Sequence, residues 1–114
     1  MNHQVILYDQ NINLAMLLTV LMTGYTFVQV SNLSEFKQNI HQNIALILIV
    51  EDDHTHTMLE MFEDYKIRYP SLKVMFLAKK DKYLKTWKQL SDCILSDWFL
   101  GDKRIMQSIE KLLN

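Results

Sequence analysis

Three acids, Glu51, Asp52 and Asp53, follow directly on the unbroken apolar run Ile44-Ala-Leu-Ile-Leu-Ile-Val50. Carboxylates grouped in this way could hold a cation, at the strand end where an α/β protein normally keeps its site. A fourth acid, Asp9, ends a second apolar run, Val5-Ile-Leu-Tyr8, and is followed by Gln10. His54 and His56 lie just beyond Asp53, so a metal-dependent enzyme built on Asp9, Asp53, His54 and His56 is one reading. It is the weakest one, because metal sites need three or four convergent groups and a His-x-His in a loop is most often solvent-facing. The bland reading of all these acids is a helix-capping or turn residue at Asp9 and a solvated loop start at Glu51–Asp53.

The elements that carry these residues follow from the apolar runs. A stretch as long as Ile44 to Val50, rich in β-branched side chains and polar at both ends, reads as a strand buried on both faces. Such strands belong to parallel sheets covered by helices, and ligands gather at the carboxyl ends of those strands. Along the chain, strand and helix patterns alternate. Strands are expected at Val5–Tyr8, Tyr25–Val30, Ile44–Val50, Val74–Ala78 and Cys93–Leu95. Between them Asn11 or Asn13 can cap a buried helix running to Met22, and Gly24 supplies its stop. A second helix runs to Ile40 with Leu33, Phe36 and Ile40 on one face. A third spans Thr57–Tyr69 with Met58, Leu59, Phe62, Tyr65, Ile67 and Tyr69 at helical spacing, ended by Pro70. Asp81–Leu90, with Tyr83, Leu84, Trp87 and Leu90 inward, and Asp102–Leu113 complete the set.

Five strands and five helices in 114 residues leave few topologies, because crossovers are short and right-handed. The economical one is an α/β, flavodoxin-like, doubly wound five-stranded parallel sheet of order 2-1-3-4-5 with helices on both faces. The chain is expected to be a single domain, 1–114, large enough to fold without a staple. Its net charge of −1 argues against direct nucleic-acid binding. A lone cysteine, Cys93, and the absence of a signal peptide give a cytoplasmic expectation, and the apolar stretch Ile12 to Met22 is too short to span a membrane. With two glycines in the whole chain and no P-loop or nucleophile elbow, no enzyme is expected.

Element order, length and the polar residues at strand ends resemble the receiver domains of bacterial response regulators over essentially the whole chain. The resemblance implies two adjacent acids after the first strand to hold magnesium, where this chain has Asp9 and Gln10. It implies a phosphoryl-accepting aspartate after the third strand. Spacing favours Glu51 for that slot, with a side chain one methylene too long, and a slipped strand end leaves Asp52 or Asp53 in play. A hydroxyl residue is implied after the fourth strand, where Ala78 stands, and a lysine after the fifth, where Asp97 stands. Replacing that lysine by an acid turns attraction into repulsion, roughly 4 kcal/mol for unit charges about 4 Å apart at an effective dielectric near 20.

The pocket Asp9, Gln10, Glu51, Asp52, Asp53, Ala78 and Asp97 is therefore expected to be vestigial, with no resident metal or cofactor. The expected function is that of a phosphorylation-independent pseudo-receiver acting by dimerisation or by binding a partner regulatory protein, in transcription regulation or signal transduction. The alternative is a working phosphoacceptor using Asp52 or Asp53 with magnesium. The resemblance also implies a DNA-binding output domain, so the chain is read either as the N-terminal part of a longer regulator or as a stand-alone protein. An association surface is expected from Tyr83, Trp87, Trp98, Phe99, Ile105 and Met106. Lys79, Lys80, Lys82, Lys85 and Lys88 read as a solvated basic face, with an acidic partner as the functional alternative.

Overall fold

The computed structural model describes residues 2–79, 84–96 and 101–114. Within them lie the strands β1 (His3–Tyr8), β2 (Tyr25–Val30), β3 (Ile44–Val50), β4 (Lys73–Leu77) and β5 (Cys93–Leu95). The helices are α1 (Asn13–Leu21), α2 (Leu33–Asn39), α3 (Leu59–Arg68), α4 (Leu84–Leu90) and α5 (Asp102–Leu113), with a 3-10 turn at Thr55–Met58. All neighbouring strands pair parallel, in the order β2-β1-β3-β4-β5. This is the flavodoxin-like order expected from the sequence.

Successive strand residues face opposite sides of the sheet, so each central strand feeds two cores at once. One layer receives Ile6, Tyr8, Ile47, Ile49, Val74 and Phe76 and is covered by α2, α3 and α4. The other receives Val5, Leu7, Leu46, Leu48, Met75 and Leu77 and is covered by α1 and α5. That double burial is why β3 carries no alternating polar residues. A register irregularity opposite Gln4 and Val5 absorbs Ala45, which sends Ile44 and Leu46 to different layers although they are two residues apart. In the first layer Trp87 stacks on Phe76 with centroids 4.1 Å apart, and Phe62 meets Phe36 edge-on at 5.1 Å. Each such contact contributes about 0.5–1.5 kcal/mol beyond area burial, and the series draws three helices onto β4.

Several expectations are corrected here. Helix α1 is not a buried helix: Ala15 and Leu18 face the core, while Ile12, Met16, Val20 and Leu21 are at least half exposed. None of the described elements covers that outer side. The third helix does not begin at Thr57, because the 3-10 turn intervenes, and Ile67 is 74% exposed rather than inward. Leu33 is likewise exposed beside the buried Phe36. Of the expected association surface, Trp87 is 1% exposed and Ile105 fully buried, so both complete the cores and neither is available to a partner. Met106 is partly buried at the margin of the second layer. Tyr83, Asp97, Trp98 and Phe99 lie outside the described residues.

Candidate functional site

The parallel ladder runs one residue past the ends of β1, β3 and β4. The N–H of Asp9 donates to Val30 O at 3.0 Å, that of Glu51 to Leu77 O at 3.0 Å, and that of Ala78 to Leu95 O at 2.8 Å. Asp9, Glu51 and Ala78 are thereby aligned along one carboxyl edge, as the sequence predicts. The side chain of Ala78 is buried against the first core layer and brings no hydroxyl to this edge.

Gln10 joins the loops that follow β2 and β3. Its Nε2 donates to the Ser31 carbonyl at 2.6 Å and to Asp52 Oδ2 at 3.2 Å. Both partners only accept, which requires the amide nitrogen to face them. Oδ1 of Asp52 accepts the N–H groups of His54 at 2.8 Å and Thr55 at 2.9 Å, so the same carboxylate caps the 3-10 turn. The buried Thr55 closes this turn by donating its hydroxyl to Asp52 O at 3.1 Å. On the other side, Ser31 donates its N–H and hydroxyl to Glu35 Oε1, and Glu35 N–H donates to Asn32 Oδ1 at 2.8 Å. This is a reciprocal cap at the start of α2. A single amide therefore bridges two helix caps that belong to different loops.

Burial pushes the Asp9 carboxyl above its ordinary range and the nearby Asp52 charge adds to the rise, while the Asn11 N–H at 3.1 Å and the Lys79 ammonium oppose it. Tyr8, the last residue of β1, has its phenol raised by burial and by Asp52, against a hydrogen bond with Gln10. Glu35 is held low by the Ser31 hydroxyl and N–H.

Asp9, Gln10 and Asp52 are thus brought together, and of the three candidate acids Asp52 is the one bonded to Gln10. Asp53 is exposed in the turn before the 3-10 segment, and His54 contributes its backbone to the cap. Among the described residues no group of three or more His, Cys, Asp or Glu side chains converges to hold a metal ion. Three participants were missed in the sequence. Tyr8 reads as the end of an apolar run, Ser31 as a turn residue, and Lys79 as one of several solvated lysines. The signal that could have found Tyr8 and Lys79 is their position at strand ends.

No family model matches this sequence, and no curated protein matches it. Solved structures do resemble it. Over 100% of this chain and 98% of the other, it superimposes on the N-terminal signal receiver domain of a two-component response regulator from Bacteroides fragilis, with TM-score 0.78 and 13% identity. The chain has the receiver fold. Two further structures share it, both of proteins named for pilus assembly. One is from Burkholderia pseudomallei (TM-score 0.73, 12% identity, 97% of this chain and 89% of that one) and one from Burkholderia thailandensis (TM-score 0.72, 13% identity, 96% and 97%). Magnesium, which the resemblance implies, does not fit the receiver-fold site as built. The ion demands oxygen ligands in octahedral geometry. Here an amide nitrogen faces one oxygen of Asp52, and two backbone N–H groups occupy the other.

Among the described residues no helix is long and apolar enough to cross a membrane.

Proposed function

We propose that this chain is a signalling domain with a receiver fold that works without phosphorylation and acts by protein association. The observation that carries the reading is the Gln10 bridge. At the place where a cation would have to hold two carboxylates together, an uncharged donor already links Asp52 to Ser31. A pocket cross-linked in this way has its arrangement set by its own sequence, and only a ligand with differential affinity for two arrangements could shift it. Ala78 supports the same reading, because it has no hydroxyl with which to sense a phosphoryl oxygen. In this reading the domain catalyses nothing and serves transcription regulation or another signalling pathway in the cytoplasm. It reaches DNA only through an output domain or a partner. The neighbours in structure include a response-regulator domain and proteins named for pilus assembly, so the fold hosts more than one role.

One observation favours a second reading. Asp9 and Asp52 lie close enough to influence each other, with Lys79 acting on Asp9, and Asp52 is then the residue that would accept a phosphoryl group. The two readings separate in one experiment. The protein is incubated with acetyl phosphate or beryllofluoride and millimolar magnesium, following intact mass and the combined emission of Trp87 and Trp98. Unchanged mass and emission are expected. A saturable change abolished by Asp52→Asn would replace the first reading by the second.

A further inference from the structure

From Gln10 through Ser34 the chain carries no charged residue, and all 12 basic and 13 acidic residues lie outside that stretch. The stretch contains α1 and β2, and β2 is an edge of the sheet. Ile12, the residue that opens α1, and Met16 and Val20 within it are spaced by four, form one ridge and are 53%, 59% and 80% exposed. Beside the ridge an open groove of about 450 Å³ runs between α1 and β2, lined also by Thr19, Phe27 and Gln29. Apolar side chains exposed to this degree on one ridge beside an apolar groove make the kind of patch that serves as an interaction site on a soluble protein. The remaining described surface shows no comparable ridge: Leu33 and Ile67 are the other large apolar side chains exposed outside α1.

We infer that the α1–β2 face is a two-fold interface with a second copy of this chain, the ridge Ile12–Met16–Val20 packing against its own counterpart. This rests on the reading above that the chain works by association. Charge argues for a second copy over an unrelated partner. Across a two-fold axis each residue near the axis meets itself, so any charge there meets a like charge. A face without a single charge is compatible with itself, whereas a groove for a charged peptide would carry charges to select it. A lipid surface is disfavoured by the same feature. Neither α1 nor β2 carries a lysine or arginine to hold the ridge against an anionic headgroup layer. The area is that of a small reversible interface, below roughly 1,200 Å² in total, so the dimer is expected to dissociate on dilution.

The test is analytical ultracentrifugation of the protein over a wide concentration range, with Val20→Glu, Val20→Lys and, as a control on α5, Met106→Glu. Val20 is mostly solvent-exposed in the free chain, and circular dichroism would confirm that its variants fold. The parent is expected to shift from monomer to dimer with concentration, independently of acetyl phosphate and magnesium. Val20→Glu and Val20→Lys should each weaken the dimer by on the order of a hundredfold through like-charge contact. Mixing the two variants should restore it. A parent that stays monomeric in both buffers overturns the interface and leaves the phosphorylation-independent reading standing. So does a monomer that floats with phosphatidylcholine vesicles, or a dimer lost in Met106→Glu but retained in Val20→Glu. A dimer that needs acetyl phosphate and is lost in Val20→Glu supports the interface and overturns that reading instead.

Discussion

The two edges of the sheet use the same side chain to opposite effect. At the amino edge, Asp92 stands just before β5. Its Oδ2 receives the Lys66 ammonium at 2.7 Å and the Val74 N–H at 2.8 Å, while its own N–H returns to Val74 O at 2.8 Å. Partial burial pushes this carboxyl up, but Lys66 and the Val74 amide outweigh it, and the group lies below its ordinary value. At the carboxyl edge, burial and a neighbouring acid leave Asp9 raised. One acid ties α3, β4 and β5 together. The other stands where burial and the Asp52 charge outweigh the Asn11 N–H and the Lys79 ammonium. The difference teaches that a carboxylate at a strand end is structural or poised according to which donors the adjoining elements bring to it.

The largest way to break the comparison is Asp92→Ala. It leaves the buried Val74 N–H without its acceptor and Lys66 without its counter-ion, and should cost about 2 kcal/mol in urea unfolding. Because the folded pKa is depressed, the ionised Asp92 stabilises fully above its ordinary value of 3.8. The advantage over Asp92→Asn should therefore vanish as pH falls below that value through the folded one. A gap that persists at lower pH would contradict the ion-pair account.

Gln10→Glu sharpens the contrast from the other edge. It replaces a donor by a third carboxylate near Asp9 and Asp52 and should cost about 1–2 kcal/mol in the absence of divalent cations. The same change creates an oxygen-rich cluster, so millimolar magnesium should raise the melting temperature of this variant and leave the parent unmoved. Equal responses of the two proteins would show that Gln10 is not what excludes the ion. Asp52→Ala comes next. It removes the cap of the 3-10 turn and should lower stability by about 1 kcal/mol, with hydrogen exchange accelerating at His54 and Thr55 before the core strands respond.

Asp9→Asn should have the smallest effect and the opposite sign. A carboxyl whose folded pKa is raised costs stability once the pH rises through its unfolded value and up to the folded one. The amide variant should therefore be more stable at neutral pH, by a few tenths of a kcal/mol after solvent screening. The gain should disappear below the ordinary value of 3.8. Thermal melts across that range would show it, and a loss of stability at neutral pH would mean that Asp9 is structural like Asp92.

The amino-acid sequence by itself determined the fold class. Short apolar runs rich in β-branched residues and bounded by polar ones read as strands of a covered parallel sheet, and the bounds of β2, β3, β5 and α5 follow from local pattern alone. It also placed Asp9 and Glu51 at the carboxyl ends of their strands, because each follows directly on its apolar run. Only the tertiary structure decided which acid meets Gln10, since Gln10, Ser31 and Asp52 are 21 and 42 residues apart and are brought together by strand order. It likewise decided that Trp87 is core and that one face of α1 is bare. A periodic pattern records which residues are apolar, whereas burial depends on whether another element lies over them, and over the Ile12–Met16–Val20 ridge none of the described elements does.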